Sequence, residues 1–164
     1  MKIGLRPANA ADMPFLQRVF RSTRERELAG LPWSDAQKDQ FCAMQFAAQD
    51  RGHRAAHPAA EFLVVQCDDD EAGRLYLADT VEALHVLDIS LLPPWRNRGV
   101  GTSLLRETMA RAAARGVPLE MHVAKDNPAR RLYARLGFVE CADDGVYVGL
   151  EWRPRADAGT TGGD

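Results

Sequence analysis

Apolar positions change period several times along the chain, and each change marks an element. Residues 2–7, KIGLRP, alternate and stop at Pro7, as a first strand does. From Asp12 the period lengthens. Leu16, Val19, Phe20 and Thr23 share one helical face, and Pro14 is tolerable only in the first turn. Arg21, Arg24, Glu25 and Arg26 crowd the other side, and Gly30 with Pro32 ends the helix. Ser34 and Gln37 have the spacing of a capping box, so SDAQ opens a second helix lined by Phe41, Met44, Gln45 and Ala48. The stretch RGHRAAHPAA breaks that pattern.

The middle and end of the chain read as strands with helices between them. EFLVVQC and GRLYLAD form a hairpin across the acidic turn Asp68-Asp69-Asp70-Glu71. ALHVLDISLL is a long, mostly apolar strand, as suits a central place in a sheet. A helix runs from about Gly99 to Arg115 with Val100, Leu104, Leu105, Thr108 and Ala112 facing in, and Gly116 stops it. LEMHV is the next strand. Asn127 caps another helix with Pro128 at its first position, and its inner face is Ala129, Leu132, Tyr133 and Leu136. Gly137 ends that helix, and FVEC and GVYVGLEW close the sheet. The order is strand, two helices, a β-meander, βαβ, helix and two strands. It predicts a mixed α/β fold whose six- to seven-stranded, mostly antiparallel sheet carries helices on both faces. One domain over residues 1–153 is expected, with 154–164 a polar, glycine-rich, flexible tail.

Composition narrows the function classes. The chain has 164 residues, 46% hydrophobic and 27% charged, with a formal net charge of −2. That balance argues against bulk binding to nucleic acid or an anionic membrane. No apolar run approaches a membrane span, and MKIGLRPANAAD lacks the apolar core of a signal peptide, so a cytoplasmic location is expected. Cys42, Cys67 and Cys141 are odd in number and widely spaced, which points away from a disulfide framework or a zinc site.

The chemistry gathers in ISLLPPWRNRGVGTSLL, where a strand gives way to a helix through a loop rich in Arg and Gly. Gly99 and Gly101 let backbone approach a ligand closely. The free N–H groups and dipole of a helix start favour an anion, and Arg96 and Arg98 add charge. A phosphate-bearing ligand fits. No Gly-Lys pair follows for a Walker A loop, and position 104 is Leu where a dinucleotide fingerprint wants a third glycine.

Arg96, Gly99 and Gly101 match the Arg/Gln-x-x-Gly-x-Gly/Ala pattern of the GNAT superfamily of acyl-CoA-dependent N-acyltransferases. NPARRLYARLGF supplies the family's downstream Asn127, Ala129, Tyr133, Gly137 and Phe138. The chain therefore resembles that superfamily, sharply from about Leu84 to Phe138 and by element order alone before that. The resemblance implies acetyl-CoA as cofactor, its pyrophosphate on the amides of Arg98, Gly99, Val100, Gly101 and Thr102. It also implies a pantetheine arm beside Leu91, whose N–H lies near the thioester oxygen, and a cofactor contact from Asn127. Asn127 also fits a plain helix cap.

The implied reaction is attack of an amine on a thioester in a ternary complex. The resemblance makes Tyr133 the proton donor to the departing thiolate, although its spacing equally fits core packing. For the base, His85, Asp88 and His122 all stand in or beside positions where family members place Glu or His, or carry a lone charge in an apolar strand, and their order stays open. The acceptor is an unidentified small-molecule or peptide amine. Trp33, Glu25 and Glu27 lie where the family covers its acceptor, and the solvated helix end is the plainer reading. No metal is expected: His53 and His57 lack a nearby carboxylate, and DDDE lacks calcium-loop spacing. The resemblance allows a homodimer through the C-terminal strands. The rivals are a non-catalytic acyl-CoA-binding or sensing module on the same fold, and a nucleotide-phosphate binder of another class.

Overall fold

The computed structural model describes residues 1–155, so all but the first two residues of the expected flexible tail lie outside the described residues. In chain order the elements are β1 (Ile3–Pro7), α1 (Met13–Thr23), α2 (Glu25–Ala29), α3 (Asp35–Ala56), β2 (Glu61–Cys67), β3 (Asp70–Asp79), β4 (Leu84–Leu91), α4 (Val100–Arg115), β5 (Leu119–Ala124), α5 (Arg130–Leu136), β6 (Val139–Asp143) and β7 (Tyr147–Trp152). The class is the expected mixed α/β, and the sheet is seven-stranded and mostly antiparallel. Among the described residues no helix is long and apolar enough to cross a membrane. The chain forms two compact units: Met1–Asp79 with Val86–Gly101, and Thr80–His85 with the residues from Thr102 on.

In the first unit β1, β2 and β3 pair antiparallel, with Asp68 in the left-handed region (φ 54°) at the β2–β3 turn. A bulge sits between Val65 and Gln66. Asn9 and Asp12 form a capping box around a 3-10 turn that leads into α1. α1 buries Phe15, Leu16, Val19 and Phe20 against α3 and β3, each burial contributing about 1.5–3 kcal/mol. Thr23 was expected on that face, but it is exposed and Phe15 takes the inner place. The hydroxyls of Ser22 and Thr23 donate to the carbonyls of Val19 and Phe20 at 2.6 and 2.7 Å. Such back-bonding competes with the helical ladder. It accounts for the break that sets α2 apart from α1, where one helix running on to Gly30 was expected.

The predicted capping box of α3 forms in full. Ser34 Oγ accepts from the Gln37 N–H, and Gln37 Oε1 accepts from the Ser34 N–H. Its inner face differs from the prediction: Cys42 and Phe46 are buried, Met44 is 66% exposed, and Phe41 packs edge-on to Trp33 at 5.2 Å. The helix also runs on to Ala56 through RGHRAA, because no proline interrupts it before Pro58.

In the second unit β5, β7 and β6 lie side by side, antiparallel. Leu104, Leu105, Thr108 and Ala112 of α4 are buried as the pattern predicts, and Gly116 ends the helix at φ 65°. Gly137 ends α5 at φ 100°, with the Phe138 N–H donating to the Tyr133 carbonyl at 3.0 Å.

Candidate active site

The loop after β4 is built from backbone geometry first. Pro93–Trp95 make a 3-10 turn and Arg96 is extended. Asn97 (φ 58°) and Gly99 (φ 82°) are left-handed on either side of Arg98. Asn tolerates that region because its short amide bonds locally, and Gly enters it without strain. A Cβ built on Gly99 meets no atom within 4 Å, so glycine is needed there for conformation and not for space. α4 begins at the next residue, and its leading N–H groups have no intrahelical acceptors. Left-handed turns ahead of a helix start make a concave set of N–H donors suited to a phosphate.

The two arginines divide their work. Arg96 Nε donates to the Leu91 carbonyl at 2.8 Å, and its Nη2 donates to Ser22 Oγ at 3.2 Å and the Ser22 carbonyl at 3.3 Å. It therefore ties the loop to the end of β4 and to α1. Arg98 is exposed and lies over the Trp95 ring at 4.8 Å, with its charge turned to solvent. Val100 is buried and fixes the first turn of α4, while Gly101 and Thr102 are half-buried in that turn.

Leu91 is half-buried at the end of β4. Asp88, three residues earlier, has both carboxylate oxygens occupied. Oδ2 accepts from Arg74 Nη2 at 2.6 Å and Oδ1 from Ser90 Oγ at 2.6 Å. Arg74 is 1% exposed, bonded also to Gln49 Oε1 at 3.1 Å and boxed by the rings of Phe20, Phe46 and Tyr76. Sequence reasoning missed Arg74. Its signal was available as a lone cation in an apolar strand next to a strand carrying a lone carboxylate.

Burial pushes the Tyr76 phenol up and the nearby His53 imidazole down, favouring the neutral form of each. Glu25 pairs with Arg21 at 2.9 Å and Glu27 with Arg24 at 3.1 Å, so both acids are engaged within the chain.

The remaining candidates belong to the second unit. His85 Nδ1 is 3.5 Å from Glu120 Oε2, and its Nε2 is 3.4 Å from Thr80 Oγ1. Glu120 was not anticipated; it faces His85 from β5. His122, also on β5, is exposed, and its Nε2 lies 3.5 Å from where a Cβ on Gly149 would sit. Five residues on, Asn127 Oδ1 accepts from the Ala129 N–H at 2.9 Å, which makes it the cap of the turn into α5 and leaves its amide NH2 to point elsewhere. Tyr133 is 4% exposed on the inner face of α5, with its ring against Phe138 at 6.0 Å. Among the described residues no group of three or more His, Cys, Asp or Glu side chains is placed to hold a metal ion.

The family model for the acetyltransferase (GNAT) domain matches residues 58–140, half of the chain. The chain belongs to the GNAT acetyltransferase family. This GNAT protein is an acyltransferase, and solved structures share its fold. The PaiA N-acetyltransferase of Thermoplasma acidophilum, in complex with coenzyme A, is 19% identical over 94% of this chain and 100% of its own, with a TM-score of 0.72. The ribosomal-protein-S18-alanine N-acetyltransferase of Escherichia coli is 19% identical over 92% and 91%, at 0.58. A GNAT family acetyltransferase of Elizabethkingia anophelis with acetyl-CoA bound is 15% identical over 93% and 98%, at 0.58. None of the curated protein sequences matches this GNAT protein.

Proposed function

We propose that this GNAT protein, with residues 1–153 as one catalytic domain, transfers the acetyl group of acetyl-CoA to a primary amine by direct attack. The observation that carries this reading is the loop from Arg96 to Thr102. It combines left-handed Asn97 and Gly99, a helix start and exposed Arg98, and Arg96 fastens it to the Leu91 carbonyl. Those donors suit a diphosphate ester, and similar proteins of known structure hold coenzyme A or acetyl-CoA.

Acetyl-CoA supplies an acyl group activated as a thioester. The chain's residues supply the rest. The N–H groups of Arg98 through Thr102 bind phosphate oxygens, and the Asn127 amide donates a further hydrogen bond. The Leu91 N–H faces the oxygen that gains charge as nitrogen attacks, and one such donor contributes about 3 kcal/mol.

An alkyl amine with a pKa near 10 is mostly protonated at pH 7, and freeing its lone pair costs about 4 kcal/mol. Of the three candidate bases, we assign the proton to His122. Asp88 is consumed by Arg74 and Ser90, and His85 is held between Glu120 and Thr80, while His122 stands exposed on β5. As the C–S bond breaks, Tyr133 donates its phenolic proton to sulfur. The acceptor is a small-molecule or peptide amine.

A thiol-release assay with acetyl-CoA across a panel of aliphatic amines and amino-terminal peptides tests the reading. Amine-dependent release of CoA thiol is expected. Binding of acetyl-CoA with no release above the no-amine rate for any amine would leave the non-catalytic sensing module as the better account.

A further inference from the structure

Three consecutive residues of β3 grip the end of β4, and the proposed mechanism uses none of them. The Ala72 carbonyl accepts from the Leu92 N–H at 2.8 Å. At Gly73 the strands come so close that a Cβ would lie 2.1 Å from the Ser90 carbonyl oxygen, 2.9 Å from Leu91 Cδ2 and 3.0 Å from Leu91 Cα. Arg74 donates to Asp88 at 2.6 Å, and the other oxygen of that carboxylate takes the Ser90 hydroxyl at 2.6 Å. The grip therefore holds Asp88, Ser90, Leu91 and Leu92, with Leu91 between its two outer contacts.

The two devices work differently. Gly73 sets position by absence: no other residue leaves room for the Ser90–Leu91 backbone where it lies. The Arg74–Asp88 pair sets orientation. The guanidinium is fully buried among three rings, and the bonds it makes fix Asp88 and, through it, the rotamer of Ser90. A buried ion pair adds little net stability over an apolar pair of the same volume, so its presence in a core asks for another role.

We propose that Gly73 and the buried Arg74–Asp88 pair, acting through Ser90, are positioning residues that fix the Leu91 N–H for acyl transfer. The inference rests on the acetyl-CoA reading above, and on its placement of the thioester oxygen at Leu91. A misplacement of about 1 Å at such a donor costs on the order of a hundredfold in rate, so a tight mount is worth building.

The test reads the donor itself and needs no acceptor. Acetyl-CoA carrying 13C at the acetyl carbonyl is bound to the full chain, and the thioester C=O band is recorded by isotope-edited infrared difference spectroscopy, together with the affinity for CoA. The parent protein shows the band shifted to lower frequency than in free acetyl-CoA. Gly73→Ala and Ser90→Ala each lose much of that shift while CoA affinity stays within about threefold. Ser90→Thr, which keeps the hydroxyl, restores it. Gly73→Ala can fail to fold, because its new Cβ meets backbone; Ser90→Ala adds no atom and carries the test alone.

A band in Ser90→Ala at the parent frequency overturns the inference and leaves the acetyl-CoA reading standing. A parent band with no shift also overturns it, because there is then no donor to position. Failure of the parent protein to bind acetyl-CoA overturns the underlying reading instead.

Discussion

At the scale of single residues, charge placement decides most outcomes. Asp12 shows how a side chain near the surface couples fold to pH. Its carboxylate accepts two hydrogen bonds from Arg6, at 2.7 and 2.8 Å, and one from the Asn9 N–H, which hold its pKa down at about 2. The folded value lies below the ordinary one of 3.8, so the group stabilises the fold above pH 4 and loses that contribution as pH falls from 4 to 2. Arg6 keeps 30% of its side chain in solvent, which limits the effect to on the order of 1 kcal/mol. Asp12→Asn should flatten the acid limb of a stability curve between pH 4 and 2, read by urea unfolding at each pH. An unchanged limb would refute the assignment.

Tyr133 makes the corresponding prediction for catalysis. Tyr133→Phe keeps the ring against Phe138 and removes the hydroxyl. It should lower kcat by on the order of a hundredfold with acetyl-CoA affinity within about twofold, by thiol release and titration. Affinity and rate falling together would return Tyr133 to a packing role.

At this scale the sequence was legible where a residue announces its own conformation. Gly116 and Gly137 both adopt the positive φ that a helix stop asks for, whereas Gly99, expected for close approach, is glycine for its φ of 82°. It was silent where a side chain's partner is distant in the chain. Arg74 finds Asp88 14 residues on, and His85 finds Glu120 from another strand. Neither partner is visible to a reading of local pattern.

At the scale of elements, caps and periods were the readable part. The Ser34–Gln37 box, the five inward residues of α4 and the stop at Gly137 follow from local chemistry. The face of α3 did not, because Phe41 packs against Trp33 at the surface while Cys42 and Phe46 face the core. Helical spacing counted from Phe41 favoured the wrong stripe; packing with α1 chose the other one.

The loop and the cap predict different consequences from the same substitution. Gly99→Ala places a side chain at φ 82° in open space, with about 1–2 kcal/mol of strain. CoA affinity should fall about tenfold, and the strain should lower the melting temperature by about 2–8 °C. Gly137→Ala carries similar strain at φ 100°, with its Cβ in ordinary contact with Trp152 Cδ1 at 3.4 Å, so it should lower the melting temperature alike while CoA affinity stays at the parent value. Calorimetric titration and thermal unfolding of both variants separate the cases. A Gly99→Ala protein that binds CoA as the parent does would deny the loop its role.

At the scale of the whole molecule, element order and two motifs were enough to reach the fold class and the family. The sequence between residues 9 and 60 carries no comparable signature, so the acceptor stayed out of reach. Two acids of that region, Glu25 and Glu27, are engaged by Arg21 and Arg24 within the chain. The charge pair in the apolar interior adds little net stability but is costly to break by halves. Arg74→Met leaves Asp88 without its cation and should lower the unfolding free energy by about 3–5 kcal/mol in urea, whereas Arg74→Met with Asp88→Leu should recover most of it. No recovery in the double variant would show that Gln49 and the surrounding rings hold Arg74 independently of Asp88.

The central claim is that the loop from Arg96 to Thr102 holds the phosphates of acetyl-CoA. Calorimetric titration of the full chain with acetyl-CoA and CoA, against ATP and NAD, tests it most directly. Micromolar binding of acetyl-CoA and CoA with none of ATP or NAD is the predicted result. Absence of binding by acetyl-CoA and CoA, or equal binding of ATP, would contradict the account.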